Sequence, residues 1–139
     1  MGRINVARVI LGGLLAGLVI NLSETILNLV VVAQAMEDAF RALNRPALGT
    51  NAIVGFVLFS FIVGIAMIWL YAAIRPRFGA GPKTATTAGL LVWFFAYLNG
   101  SVAMGLMDLF PMKLMAVTTI WGLPEIVIAA VAGASLYKE

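Results

Sequence analysis

One long apolar run near the start of the chain limits what the chain can fold into. The run extends from about Val9 to Ala33 and contains no lysine, arginine or histidine. At about 1.5 Å per residue it is long enough for a helix to cross a hydrocarbon core of about 30 Å. It also exceeds the apolar core of about 7–15 residues that is typical of signal peptides. We therefore expect the run to be retained as a membrane-spanning helix.

Three further runs have the same character. They cover about 51–74, 84–106 and 112–137, and a short amphipathic segment at about 34–43 follows the first run. The chain is 63% hydrophobic and 11% charged, whereas soluble domains are roughly 45–50% apolar and about 25% charged. These features predict an all-α membrane protein in which residues 1–139 form a single four-span membrane domain. We expect the four transmembrane helices to form a compact up-down bundle, with the amphipathic segment as an interfacial helix.

The basic residues are unevenly distributed between the two ends of the predicted bundle. One end collects six lysines and arginines, and the other end collects three. The six are Arg3, Arg8, Arg75, Arg77, Lys83 and Lys138, and the three are Arg41, Arg45 and Lys113. The positive-inside rule then predicts that both termini and the loop at 75–83 lie in the cytoplasm. We expect the chain to be a multi-pass protein of the cell inner (plasma) membrane. Arg75, Arg77 and Lys83 are the expected topology determinants, and they are also placed to contact anionic lipid headgroups.

Polar residues interrupt all four apolar runs at a similar depth. The helix rise places Glu24 about 24 Å from Arg8, and Glu125 about 20 Å from Lys138. The same estimate applied to the other runs predicts one buried polar layer to which every span contributes. Its predicted members are Asn21, Glu24, Asn28, Ser60, Asn99 and Glu125.

The two glutamates are the strongest candidates for function in this layer. A carboxyl group inside a bilayer is costly unless it is paired or protonated, and such residues often mark ion or proton pathways. No lysine, arginine or histidine deep in the apolar runs is available to pair with Glu24 or Glu125. We therefore expect the two carboxyl groups to face each other and to share a proton or a bound cation. The asparagines also have a purely structural interpretation, as interhelical hydrogen bonds that fix the packing.

Small and polar residues recur on single helical faces in the first and third runs. Gly13 and Gly17 form a GxxxG pattern, which allows another helix to approach closely. The sequence leaves open whether that helix belongs to the same chain or to another copy. In the third run the residues that share a predicted inward face are Gly89, Ala96, Asn99 and Ala103.

The composition argues against most kinds of catalysis. Cysteine and histidine are absent, which removes thiolate sites, the commonest metal ligand and the usual general base. We find no nucleophile–base pair, no phosphate-binding loop and no set of metal ligands. We therefore expect no enzyme activity and no cofactor, and the metal question stays open. No basic cluster is dense enough to predict a nucleic-acid partner.

Two functions fit these observations. The first is a small polytopic membrane protein that acts as a non-enzymatic subunit or scaffold with a buried polar layer. Its expected partners are the lipid bilayer and either further copies, as a homo-oligomer, or a larger membrane complex. The alternative is a small proton- or cation-coupled transporter that uses Glu24 and Glu125. The layout resembles the small multidrug resistance transporters in span number and in the carboxylate of the first span. This chain is longer, and Glu125 has no counterpart in that pattern, so we carry over no residue roles.

Overall fold

The computed structural model describes residues 3–138, and that part of the chain is helical with no strands. Four of its helical segments are long and apolar enough to cross a membrane, which confirms the all-helical, four-span class. We call them spans 1 to 4, and they cover Val6–Val31, Thr50–Phe78, Pro82–Leu106 and Met112–Ser135. Below, the end of the spans near the chain termini is called the terminal end, and the opposite end is called the far end.

Spans 1 and 3 each contain a π-helical turn. Span 1 consists of helix α1 (Val6–Ile26) followed by a π-helical turn at Leu27–Val31. Span 3 consists of α4 (Pro82–Trp93), a π-helical turn at Phe94–Leu98 and α5 (Asn99–Leu106). A π-helical turn holds an extra residue, so the residues after it face a different direction from those of a continuous α-helix.

The remaining helices are continuous. The short helix α2 (Ala33–Ala42) follows span 1, α3 (Thr50–Phe78) forms span 2, and α6 (Met112–Ser135) forms span 4. Helix α1 begins earlier than the predicted Val9, because the Asn5 side chain accepts a hydrogen bond from the Arg8 amide at 3.2 Å and caps the helix.

The end of span 2 differs from the sequence-based expectation. The helix was expected to end at Ile74, before Pro76, but it continues through Pro76 to Phe78. A proline removes one helical hydrogen bond, and near a helix end this loss is small. The Gly79 amide donates to the Arg75 carbonyl at 2.8 Å and closes the helix. Gly79 has a φ of 86°, in the left-handed region that favours glycine, and there the chain turns into the next loop.

Glycines bring spans 1 and 2 into close contact. A Cβ atom at Gly13 would overlap the Ile65 backbone, and one at Gly17 would lie 2.7 Å from Phe61 Cα. Gly64 fits against the same stretch of span 1, since a Cβ there would lie 2.6 Å from the Gly17 nitrogen. Gly13 meets Ile65 and the later Gly17 meets the earlier Phe61, so the two helices run in opposite directions. The GxxxG pattern therefore packs within the chain.

Span 4 packs on a neighbouring face of span 1. A Cβ atom at Gly12 would lie 2.5 Å from the Gly133 carbonyl oxygen, and a Cβ atom at Gly133 would lie 2.6 Å from the Gly12 carbonyl oxygen. A buried apolar core fills the terminal half of the bundle between these helices. Its largest fully buried members are Ile20, Met67, Ile68 and Ile126, and small alanines surround them.

Two tyrosines tie the terminal end together. The rings of Tyr71 and Tyr137 make an edge-to-face contact at 5.9 Å. The Tyr137 hydroxyl accepts from the Asn5 amide at 3.3 Å, and the Tyr71 hydroxyl accepts from the Gly81 amide at 3.2 Å. The Arg75 guanidinium lies 5.5 Å from the centre of the Tyr137 ring. Both ends of the described chain and the loop between spans 2 and 3 therefore meet at one end, where Arg77 and Lys83 are exposed.

The far half of the bundle is more open. Helix α2 covers part of this end, and its Phe40 ring contacts Phe110 edge-to-face at 6.0 Å. Span 2 packs against α4, but its contacts with span 3 beyond the π-helical turn at Phe94–Leu98 are sparse. Apolar side chains such as Phe56 and Phe59 are exposed there. The gap leaves the far halves of spans 1 and 3 partly uncovered.

Candidate functional site

The most buried acidic side chain is Glu125, on span 4. The residue is 3% exposed. The Tyr97 hydroxyl, from the π-helical turn of span 3, donates to Glu125 Oε1 at 2.7 Å. Gly122 makes room for the tyrosine, because a Cβ atom there would overlap the Tyr97 ring. The other oxygen, Glu125 Oε2, is buried and has no hydrogen bond of good geometry.

Glu24 approaches the same point from span 1. The Asn28 side-chain amide donates to Glu24 Oε2 at 2.9 Å and to the Glu24 backbone carbonyl at 2.8 Å. The carboxyl groups of Glu24 and Glu125 lie close enough to interact electrostatically. Glu24 is partly exposed, whereas Asn28 is exposed on the open far side. The pair therefore has one buried member, Glu125, and one partly exposed member, Glu24.

A second link between spans 1 and 4 lies beside the carboxyl pair. The Trp121 indole nitrogen donates to Ser23 Oγ at 2.9 Å. Ser23 also interacts with Glu125, although without a hydrogen bond of good geometry. Because the Ser23 oxygen already accepts from Trp121, the hydroxyl hydrogen is available for a nearby carboxyl group.

The electrostatics of this cluster are unusual for a buried site. Its polar neighbours Tyr97, Asn28 and Ser23 all offer hydrogen-bond donors to the two carboxyl groups. The spans supply no lysine, arginine or histidine at this depth. Within residues 3–138 no group of three or more acidic, histidine or cysteine side chains could hold a metal ion. Two like charges so close in a low-dielectric setting are unfavourable, so the arrangement suits a pair that holds one proton.

The other predicted polar residues lie beside this cluster or outside it. Asn21 joins spans 1 and 2, because its amide donates to the Gly17 carbonyl at 2.9 Å and to the Val57 carbonyl at 3.3 Å. Ser60 donates to the Phe56 carbonyl of its own helix at 3.0 Å. Asn99 is exposed, and the structure gives its side chain no hydrogen bond. The structure therefore brings together Glu24, Asn28 and Glu125 and leaves Ser60 and Asn99 outside.

Three residues of the cluster were not singled out by the sequence analysis. They are Ser23, Tyr97 and Trp121. Tyr97 carried a usable signal, because a tyrosine far from both ends of an apolar span needs a partner for its hydroxyl. Trp121 carried a signal as well, because it lies one helical turn before Glu125 on the same predicted face of span 4. Ser23 carried no comparable signal, since a serine can bond to its own helix.

The fold and the site together describe a class of protein. Four helices of this length and apolarity fit a membrane protein, and two of them carry a paired carboxyl site. The chain matches no protein-family model, no curated protein and no solved structure. The function must therefore be argued from the site itself.

Proposed function

We propose that this protein is a small proton-coupled transporter in which Glu24 and Glu125 form the proton-binding pair. The observation that supports the proposal is the buried Glu125 carboxyl group beside Glu24, with hydrogen-bond donors around both. Carboxyl groups inside membrane spans are costly to keep, and those that line pathways bind and release protons or ions.

The donor pattern favours a proton over a metal cation. A cation needs a shell of oxygen lone pairs directed at it. Here the Tyr97 hydroxyl and the Asn28 amide direct hydrogens at the carboxyl groups instead. A hydrogen between Glu24 and Glu125 is the component that would complete the pair. It would also give the buried Glu125 Oε2 a partner.

The packing around the pair suggests how a proton reaches it. The apolar core around Ile20, Ile68 and Ile126 closes the terminal half of the bundle. Beyond this core, Glu24 is partly exposed and Asn28 is exposed, and span 2 has few contacts with the later part of span 3. We propose that the site exchanges protons with the far end through the partly exposed Glu24, past the buried cluster around Leu27, Leu114 and Met115. Release toward the terminal end would need a second packing of the helices, as alternating access requires.

We further propose that the spans form an up-down bundle in the plasma membrane, with both termini in the cytoplasm. The contacts of Tyr71 and Tyr137 support a shared end for the loop at Gly81 and both chain ends. That end carries six of the nine basic residues, which the positive-inside rule assigns to the cytoplasm.

Proton movement in proteoliposomes tests the proposal. The purified protein is reconstituted with an internal pH dye, and a potassium diffusion potential drives protons across the membrane. We expect a flux with the unmodified protein and its loss in Glu125→Gln and Glu24→Gln. Glu37→Gln is the matched control, because Glu37 lies on the exposed face of α2 with a side chain that is 58% exposed.

Infrared difference spectra give an independent readout on the same samples. A pH change should produce a band from a protonated carboxyl group, and that band should disappear in Glu125→Gln. If the band and the flux persist in both single variants, the carboxyl pair is not a proton site. If the band is present but no flux occurs, the pair binds a proton that the protein does not carry in the absence of a substrate, and uncoupled proton transport is excluded.

A non-enzymatic membrane subunit or scaffold is the second candidate. A groove of about 840 Å³ between α2 and the segment at 105–117 supports it, because a partner segment could fill this mostly apolar space. The GxxxG pattern no longer supports an intermolecular contact, since span 2 of the same chain covers Gly13 and Gly17. For this reason we rank the scaffold below the transporter. Absence of flux together with co-purification of one membrane partner would reverse that order.

A further inference from the structure

Asn99 is an amide in the interior of a span with no hydrogen-bond partner in the structure. It lies about 24 Å along span 3 from Lys83, inside a hydrocarbon core of about 30 Å. The other two asparagines deep in the spans, Asn21 and Asn28, each donate two hydrogen bonds. Asn99 is exposed on the outside of the bundle. In lipid no water is available to form hydrogen bonds with an exposed amide. A hydrogen-bond partner for Asn99 would therefore come from another molecule.

The surface around Asn99 permits a close helix contact. Ala96 precedes it by one helical turn and Ala103 follows it by one turn, and both are exposed. Small residues at this spacing let a second backbone approach near enough for a short amide to reach across. Larger exposed side chains at Phe95 and Leu106 border the surface. These residues define the Asn99 face of span 3.

The chemistry of the amide identifies the partner. An asparagine side chain is both a donor and an acceptor, so a second asparagine can accept from it and donate to it at the same time. In a twofold dimer each residue of an interface can meet its own copy. Because both copies would cross the membrane in the same orientation, their third spans would lie side by side in parallel. Asn99 of one copy would then face Asn99 of the other at the same depth.

We propose that two copies of this chain pair through the Asn99 face of span 3, with the two Asn99 amides hydrogen-bonded across a twofold axis. The pairing uses a face that points away from span 4, which contacts the opposite side of span 3 through Tyr97 and Trp93. The interface is therefore separate from the carboxyl pair. It does not depend on whether that pair binds a proton.

Disulfide cross-linking in liposomes tests the interface. The chain contains no cysteine, so single-cysteine variants can be used without further changes. Ala103→Cys should form a disulfide-linked dimer under mild oxidation, because the two copies of this position face each other. Ile128→Cys is the matched control, since Ile128 is also exposed in a span but lies on span 4. Equal cross-linking of both variants would show random collision and would overturn the proposal.

Energy transfer between labelled copies tests the role of the amide. Asn99→Leu should raise the dissociation constant of the dimer by roughly tenfold, as expected for losing two hydrogen bonds between membrane helices. Asn99→Gln should retain most of the pairing, because it keeps an amide. Circular dichroism should show the same helix content in all three proteins. Unchanged energy transfer in Asn99→Leu would overturn the proposal, and so would cross-linking of Ala103→Cys in native membranes to a different protein alone.

Discussion

Glu125 shows how a single side chain can be stabilised in a membrane interior without an opposite charge. Its carboxyl group receives a strong hydrogen bond from Tyr97 and lies next to Ser23 and Glu24. A buried ion pair would require a lysine or arginine at this depth, and the spans contain none there. A proton can instead neutralise the Glu125 carboxyl group, and the neighbouring hydrogen-bond donors fix its position.

The Tyr97 hydroxyl donates to Glu125 Oε1 at 2.7 Å, and we predict the contribution of this hydrogen bond to stability. Tyr97→Phe removes the donor to Glu125 Oε1 and leaves a buried acceptor without a partner. We expect the free energy of unfolding in detergent to fall by about 1–3 kcal/mol, the usual cost of such a group. Unfolding by increasing SDS content, followed by circular dichroism, measures the change. Trp69→Phe is the control, because Trp69 is 53% exposed and makes no comparable bond. An equal effect of both substitutions would contradict the prediction.

At the scale of the helices, glycine contacts set the distances between spans. Gly13 and Gly17 let span 2 lie against the backbone of span 1, and Gly12 does the same for span 4. Close packing of this kind replaces the hydrophobic effect, which does not drive association of helices inside lipid. The polar cluster lies just beyond these contacts, so their geometry positions Glu24 relative to Glu125.

This dependence can be tested with a pair of glycine substitutions. Gly13→Ala places a Cβ atom against the Ile65 backbone, so spans 1 and 2 must separate. We expect a loss of about 1–3 kcal/mol, the typical cost of overpacking. Gly55→Ala, on the same two-helix unit, meets nothing within 4 Å. It should leave stability unchanged or raise it by up to about 1 kcal/mol, because alanine favours helix. Equal destabilisation in the SDS titration would argue against close packing at Gly13.

The helices also show what a sequence pattern cannot reveal. The spacing of Gly89, Ala96, Asn99 and Ala103 suggested one inward face on a continuous α-helix. The structure buries Gly89 but exposes the other three. The π-helical turn at Phe94–Leu98 lies between them and rotates the later residues. No residue type marks a π-helical turn reliably. The spacing of residues on an ideal α-helix therefore could not predict the direction that Asn99 faces.

At the scale of the whole molecule, the depth of the two glutamates was predictable and their surroundings were not. Helix rise alone gives nearly equal heights for Glu24 and Glu125 once charged residues fix the ends of the spans. Which spans contact each other depends on close-packed surfaces that involve every helix. Tyr97 and Trp121 entered the site through such contacts.

The charge distribution makes a final prediction about the orientation of the whole chain. Leu48 and Ala80 are exposed in loops at opposite ends of the bundle. In intact cells a membrane-impermeant maleimide should label Leu48→Cys, whereas Ala80→Cys should react only after permeabilisation.

A combined change of Arg3→Gln, Arg77→Gln and Lys83→Gln tests the cause of this orientation. It reduces the basic residues at the terminal end from six to three, which equals the three at the far end. All three residues are exposed, so the fold should survive while the orientation loses its bias. A fraction of Ala80→Cys should then be labelled from outside. Labelling of Ala80→Cys from outside in the otherwise unmodified protein would mean that the termini face outward.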